Sequence, residues 1–253
     1  MSNLRPFAFA VAACGLFATS LPAQMATGKV KWVGVNGAWS SYRNSTQTQT
    51  WNVYTSPYRA RFWINSPGSS VVPPSPLLPP AGTNAFGPTS DIFCVDFNHY
   101  ANTGTYNAYF TNLGTNFADI GTYTRSGNTL QNYLAAAFLS EQIKAVGVNT
   151  ADAKDMNGAI WQIMSGQPKY RWNGSSWSSA GITTWVTTAL TTGWQSVNAS
   201  NWVVVTDVAS AGNQTGGSQE YLTEVVPEPA TLLLIGTGLF GLLAVGAIRR
   251  TLA

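Results

Sequence analysis

The chain has 253 residues and a formal net charge of +3, from 13 Lys and Arg against 10 Asp and Glu. Three of the cations (Arg5, Arg249 and Arg250) sit at the two ends, which leaves ten charges of each sign between residues 27 and 229. A neutral body without a basic cluster excludes nucleic acid as a partner, and a single His with two Cys excludes metal-ligand spacing, so no cofactor is expected.

Residues 1–26 read MSNLRPFAFAVAACGLFATSLPAQMA. Arg5 precedes an apolar run from Phe7 to Ala18, and small residues follow, which is the layout of a secretory signal peptide. Ala18-Thr19-Ser20 fits the small-x-small cleavage pattern, with Ala23 and Ala26 as alternatives. Val11-Ala12-Ala13-Cys14 also resembles a lipoprotein signal, which would make Cys14 a lipidated N-terminus. With the signal peptide removed, Cys94 is the one cysteine of the exported body.

That body, residues 27–225, is long enough for one core and is predicted to be a single domain. It is poor in charge and rich in Trp, Tyr, Thr, Ser, Asn and Gly, the texture of a β-rich surface protein. Residues 29–35 (KVKWVGV), 50–55 (TWNVYT) and 58–64 (YRARFWI) alternate as strands, broken by Asn36-Gly37 and Ser56-Pro57. A Pro-rich stretch at 71–88 reads as a long surface loop. SDIFCVDFNHY (90–100) follows as a strand, with TYNAYF (105–110) as its expected partner.

Two helices come next. Residues 130–146 place Leu130, Tyr133, Leu134, Ala137, Phe138 and Gln142 on an i, i+3, i+4 stripe. Thr150 can cap a second helix that runs to Gly166, with Asp152 favoured in its first turn and Met156, Ile160, Ile163 and Met164 buried. Tryptophans then recur at Trp172, Trp177, Trp185, Trp194 and Trp202; most are read as core, with Trp172 and Trp177 in the WNGSSW loop as candidates for exposure. VNASNWVVVTDV is a strand, and SQEYLTEVV is a last short strand leading into the tail.

The neighbourhood of Cys94 invites a cysteine-hydrolase reading with His99. The two are five apart, so on a regular strand they point to opposite faces, and no glycine-rich turn or helix N-terminus adjoins Cys94 to lower its pKa. His99 reads as a structural strand-end residue and Asp96 as a turn partner. An enzyme is not expected.

The C-terminal segment, 226–253, carries Pro227-Glu228-Pro229, then 18 uncharged residues at 231–248, then Arg249-Arg250. As a helix the apolar run would span roughly 27 Å at about 1.5 Å per residue, near the thickness of a bilayer core. The two arginines would stay cytoplasmic and the body outside. This order resembles a PEP-CTERM sorting signal. The resemblance implies export, transient anchoring in the inner membrane, recognition by an exosortase that removes the tail, and an association with exopolysaccharide-producing, biofilm-forming bacteria.

Phe93-Cys94-Val95, the helix motif Met156-Asn157-Gly158-Ala159-Ile160-Trp161, and Ser218-Gln219-Glu220-Tyr221-Leu222 carry a second resemblance, spanning residues 91–222. In this order they are similar to the thioester domain of bacterial surface proteins. The resemblance implies a bond between Cys94 and Gln219, with Phe93, Asn157, Trp161 and Tyr221 in support. Two positions depart from that family's pattern: Met156-Asn157 stands where a Thr-Gln pair is usual, and Ser218 where an apolar residue precedes the glutamine. Phe97 joins the aromatic shields.

The expectation is therefore an α+β, β-rich sandwich or barrel with a small insert of two helices, between a signal peptide and a sorting tail. Its expected function is attachment at the cell surface or extracellular matrix, through a Cys94–Gln219 thioester that captures an amine or hydroxyl on a protein or polysaccharide. The alternatives are a non-covalent carbohydrate-binding module, a structural protein of the exopolysaccharide matrix, and a plain buried Cys94 with Gln219 an ordinary strand residue.

Overall fold

A computed structural model describes residues 26–64, 86–115, 117–213 and 216–225. All but the last residue of the signal peptide expected at 1–26, loop residues 65–85, and the tail with the membrane span expected at 231–248 lie outside these. Among the described residues no helix is long and apolar enough to cross a membrane.

Six antiparallel strands close a barrel in the order β1 (Ala26–Val35), β4 (Tyr58–Ile64), β5 (Thr89–Cys94), β10 (Tyr221–Glu224), β9 (Trp202–Asp207) and β6 (Thr105–Asn112). The period-2 alternation in β1 and β4 closes it: Lys29, Lys31, Arg59 and Arg61 face out, while Val30, Ala60 and Phe62 face in. Phe62 meets Phe110 of β6 across the interior, ring centroids 5.6 Å apart and nearly perpendicular. Ala26 is wholly buried as the first residue of β1.

A second sheet has the order β3 (Thr50–Tyr54), β2 (Trp39–Arg43), β7 (Tyr170–Trp172) and β8 (Trp177–Ser178). Three helices complete the fold, α1 (Leu130–Val146), α2 (Ala151–Ser165) and α3 (Ala180–Thr191), so the helical part has three members and not two. Thr129 caps α1 and Thr150 caps α2, each hydroxyl accepting an amide of the first turn. Gly166 ends α2 in the left-handed region at φ 74°. Helix α3 was not legible in a Thr-rich run, because β-branched residues lower helix propensity. Packing of Ile182 and Ala189, both fully buried, overrides it.

Other expectations shift. Strand β2 was missed. Strand β6 pairs with β1 and β9 rather than with β5, whose neighbours are β4 and β10. Of the stripe expected on α1, Tyr133, Leu134 and Ala137 are buried and Leu130, Phe138 and Gln142 are half-buried; Ala135, Ala136, Leu139, Ser140 and Ile143 are buried as well, so the helix is covered on more than one face. In α2, Met156, Ile160 and Met164 are buried as expected, while Ile163 is only partly so. Of the five late tryptophans, Trp202 is fully buried and Trp172 is exposed.

Helix α2 joins the two sheets. Tyr42 of β2 donates to the Lys154 carbonyl at 2.7 Å and meets Trp161 edge-on at 5.3 Å. Gly158 permits this approach, because a Cβ there would lie 2.8 Å from Ile182 Cδ1 and 3.1 Å from Tyr42. Replacing Phe62 by Ala should destabilise the protein by about 3–5 kcal/mol through the cavity left in the barrel, seen as a lowered urea midpoint with an unchanged slope.

Candidate functional site

Strand β5 ends at Cys94, directly opposite Tyr221 of β10. Val95 N–H donates to the Glu220 carbonyl at 3.0 Å, carrying the pairing one residue further. In an antiparallel ladder the hydrogen-bonding groups alternate sides, so the N–H and C=O of Cys94 point away from β10, toward β4. There the ladder has run out: Tyr58 of β4 pairs with Ile92, and Pro57 before it has no N–H.

Side chains replace the missing strand. Ser56 Oγ accepts from Cys94 N–H at 2.8 Å, and Trp161 Nε1–H of α2 donates to the Cys94 carbonyl at 3.0 Å. Asn157, one turn before Trp161, accepts from Ser56 N–H at 2.8 Å and donates to the Ala153 carbonyl at 2.9 Å. The shorter amide thus reaches Cys94 through Ser56 rather than directly. Ser56, the second link of this relay, was not singled out in the sequence; its place before Pro57 read only as a strand break.

Cys94 is fully buried. Its thiol donates to the Asp96 carbonyl at 3.2 Å. Burial, and secondarily the Asp96 carboxylate, push the thiol far above its ordinary range, while hydrogen bonds to Asp96 and Trp161 and the Arg125 charge act weakly the other way. Alternation places Ile92 and Cys94 toward the interior, where Tyr58 and Tyr221 meet edge-on at 6.2 Å and Trp32 packs on both. Phe93 faces the opposite way, against Trp202 and beneath Lys144 of α1. It therefore supports the strand from outside and does not shield the thiol, whereas Tyr221 lies on the thiol's side. Phe97, half-buried, stacks on Trp161 at 4.9 Å.

Gln219 lies two residues before Tyr221, the residue opposite Cys94, and just outside β10. The structure thus brings Cys94, Asn157, Trp161, Gln219 and Tyr221 to one rim of the barrel. The Gln219 side-chain oxygen accepts from Tyr221 Oη–H at 3.3 Å, and its N–H donates to the Tyr100 carbonyl at 3.2 Å.

Its flanking residues are held tightly. Ser218 N–H and hydroxyl both donate to Asp207 Oδ2, at 3.1 and 2.7 Å, and the Ser218 carbonyl accepts from Arg125. Glu220, fully buried, accepts from Arg125 N–H at 2.9 Å, Thr206 Oγ1 at 2.7 Å and Tyr133 Oη at 2.7 Å. The polar Ser218, a departure from the pattern, is thereby an anchoring residue. Arg125 also pairs with Asp96, and Asp96 in turn accepts from His99 Nδ1 at 2.9 Å. His99 therefore sits in a turn folded back on Asp96, and the expectation of opposite faces on one strand does not apply. A cavity of about 570 Å³ opens beside this cluster, with Asp96, His99, Arg125 and Glu220 in its wall. Among the described residues no group of three or more His, Cys, Asp or Glu could hold a metal ion.

Residues 225–250 match the PEP-CTERM protein-sorting motif. The match contains Pro227, Glu228, Pro229, Arg249 and Arg250, and it places the chain among exported proteins that are sorted at the membrane with an exosortase as processing partner. No curated protein and no solved structure matches the chain.

Two outcomes are expected. Burial raises the pKa of Glu220, so the folded state holds a proton more tightly than the unfolded chain. Its contribution to stability is complete below the ordinary carboxylate pKa and is lost as pH rises through the raised value. Glu220→Gln should therefore flatten the fall in urea midpoint that the wild type shows on going from pH 4 upward. Asn157→Ala should cost about 1–3 kcal/mol, because the buried Ser56 N–H loses its acceptor, read from the same unfolding curves.

Proposed function

We propose that the exported body is a surface attachment module, acting by binding rather than turnover, and that Cys94 and Gln219 form an internal thioester. The observation that carries this reading is that Tyr221, directly opposite Cys94 on paired strands, also donates to the Gln219 side chain at 3.3 Å, with both strand ends held by side chains rather than left free. Such positioning is what a reaction between two poorly reactive groups requires.

In the bond-forming step Cys94 Sγ attacks Gln219 Cδ. A carbon–sulfur bond forms, the carbon–nitrogen bond of the amide breaks, and ammonia leaves with the thiol proton. Closing the thioester removes the ionisable thiol from a site where burial makes thiolate costly. The same burial makes thiolate a poor leaving group, which protects the acyl group from water.

An amine or hydroxyl of a partner would then attack Cδ from the Gln219 side, which is only half-buried. The new carbon–nitrogen or carbon–oxygen bond forms, the carbon–sulfur bond breaks, and the proton returns to Cys94. The polar cavity lined by Asp96 and His99 also has Glu220, the residue after Gln219, in its wall. A cysteine hydrolase fits less well, since the thiol's pKa is raised rather than lowered. In this reading exosortase processing releases the body from its tail and delivers it to the cell surface or matrix.

Intact mass of the full chain, purified in detergent, tests the proposal. The wild type should be lighter than its sequence by one ammonia, methylamine should add its own mass to that species, and Cys94→Ala should match its calculated mass. A wild type whose mass equals that calculated from sequence, with no methylamine adduct, would overturn the covalent reading.

A further inference from the structure

We infer that the open face of the second sheet is a binding site for a neutral polysaccharide chain. The sheet has two unlike faces. Tyr42 of β2 and Arg171 of β7 point inward, to Trp161 and to Asp155 on α2, where Arg171 donates from Nε at 2.6 Å and Nη2 at 2.9 Å. Their strand neighbours therefore point outward.

On the outward face, Trp39 lies opposite Tyr54 in the β2–β3 register, ring centroids 4.8 Å apart. Trp172 lies opposite Trp177 in the β7–β8 register, at 5.5 Å. Trp39 is 54% exposed, Tyr54 48% and Trp172 40%, so three of these four aromatic side chains stay open to solvent despite the cost of leaving apolar area in water.

Between the two aromatic pairs the face is hydroxyl and amide. Ser41 donates to Asn52 Oδ1 at 2.6 Å, and Arg43 donates to Thr50 Oγ1 at 2.9 Å with its guanidinium 4.1 Å from the Trp177 ring. At one end, Trp39 and Trp172 flank a cavity of about 370 Å³ that Asn173 and Lys154 help to line.

The composition of this face selects among occupants. None of the outward positions of its four strands is Val, Leu, Ile or Met, which a protein core-type interface or a lipid surface would call for. Arg43, the one cation at the outward positions of these four strands, is already engaged by Trp177 and Thr50, so a polyanion finds little on the strands to pair with. Flat aromatic rings suit the C–H faces of pyranose rings, and the Ser41–Asn52 row suits their equatorial hydroxyls. The hairpin that carries Trp172 and Trp177 is held in place before any ligand arrives, with Asn173 Oδ1 accepting from the N–H groups of Ser175 at 3.0 Å and Ser176 at 2.8 Å.

The test is affinity electrophoresis of the full chain in non-ionic detergent, through gels containing hydroxyethylcellulose, xylan, glycogen or alginate. At least one of the three neutral polymers should retard the wild type. Trp39→Ala and Trp172→Ala, on two different strands and both at exposed positions, should each weaken that retardation at least tenfold with an unchanged far-UV spectrum. Retardation should be unchanged after methylamine treatment of the wild type, which separates this site from the thioester. Retardation by alginate alone, by none of the four polymers, or with undiminished strength in both tryptophan variants would overturn the proposal.

Discussion

Strand β5 outlasts its partner. β4 stops pairing at Tyr58, the residue before it is a proline, and the backbone of Cys94 would face a gap in the interior of the fold. An unsatisfied buried amide or carbonyl costs on the order of 1–3 kcal/mol. Ser56 and Trp161 close that gap from two directions, and Asn157 holds Ser56 in place. The position of α2 follows from this need, and so does that of the second sheet, because Tyr42 and Arg171 dock on the same helix. One interrupted ladder thus ties the barrel, the helix and the sheet together.

The flank of this rim around Gln219 is built by charge rather than by aromatics. Asp96, Arg125 and Glu220 are buried, and such charges persist in a low-dielectric interior only when paired and hydrogen-bonded. Arg125 reaches Asp96, Ser210 and Ser218, while Glu220 accepts three donors from three different elements. Residues 218–220 are consequently fixed along their length, with the Gln219 side chain the one among them that is partly open. Rigid flanks around an accessible amide suit positioning of that amide, and a stable turn alone would not require so many buried charges.

Two surfaces with different chemistry result. The barrel rim offers a buried thiol, an amide and a polar cavity, whereas the outer sheet offers open aromatic rings and hydroxyls. For an exported protein carrying a sorting tail, the two proposals are compatible: weak non-covalent contact over a face would hold a partner near, and a reactive bond at a rim would make the attachment lasting. The two proposed activities rest on separate residues, so each stands or falls alone.

Much of the local structure was legible from the residues. Alternation in 29–35 and 58–64 marked β1 and β4, the i, i+3, i+4 stripe at 130–146 marked α1, the Thr150 hydroxyl marked the start of α2, and the Pro-Glu-Pro tail with its terminal arginines announced export, because each of these signals acts over a few neighbours. The order of Cys94, the Asn157–Trp161 helix and Gln219 pointed to one site without showing how they meet. What the chain alone could not decide was long-range. Strand pairing sent β6 to β1 and β9, burial turned a Thr-rich run into α3, and the end of the β4–β5 ladder made Ser56 the relay between Asn157 and Cys94. Phe93 and Cys94 are adjacent in sequence yet face opposite sides of the barrel wall, and closure of the barrel alone determines which side is the interior.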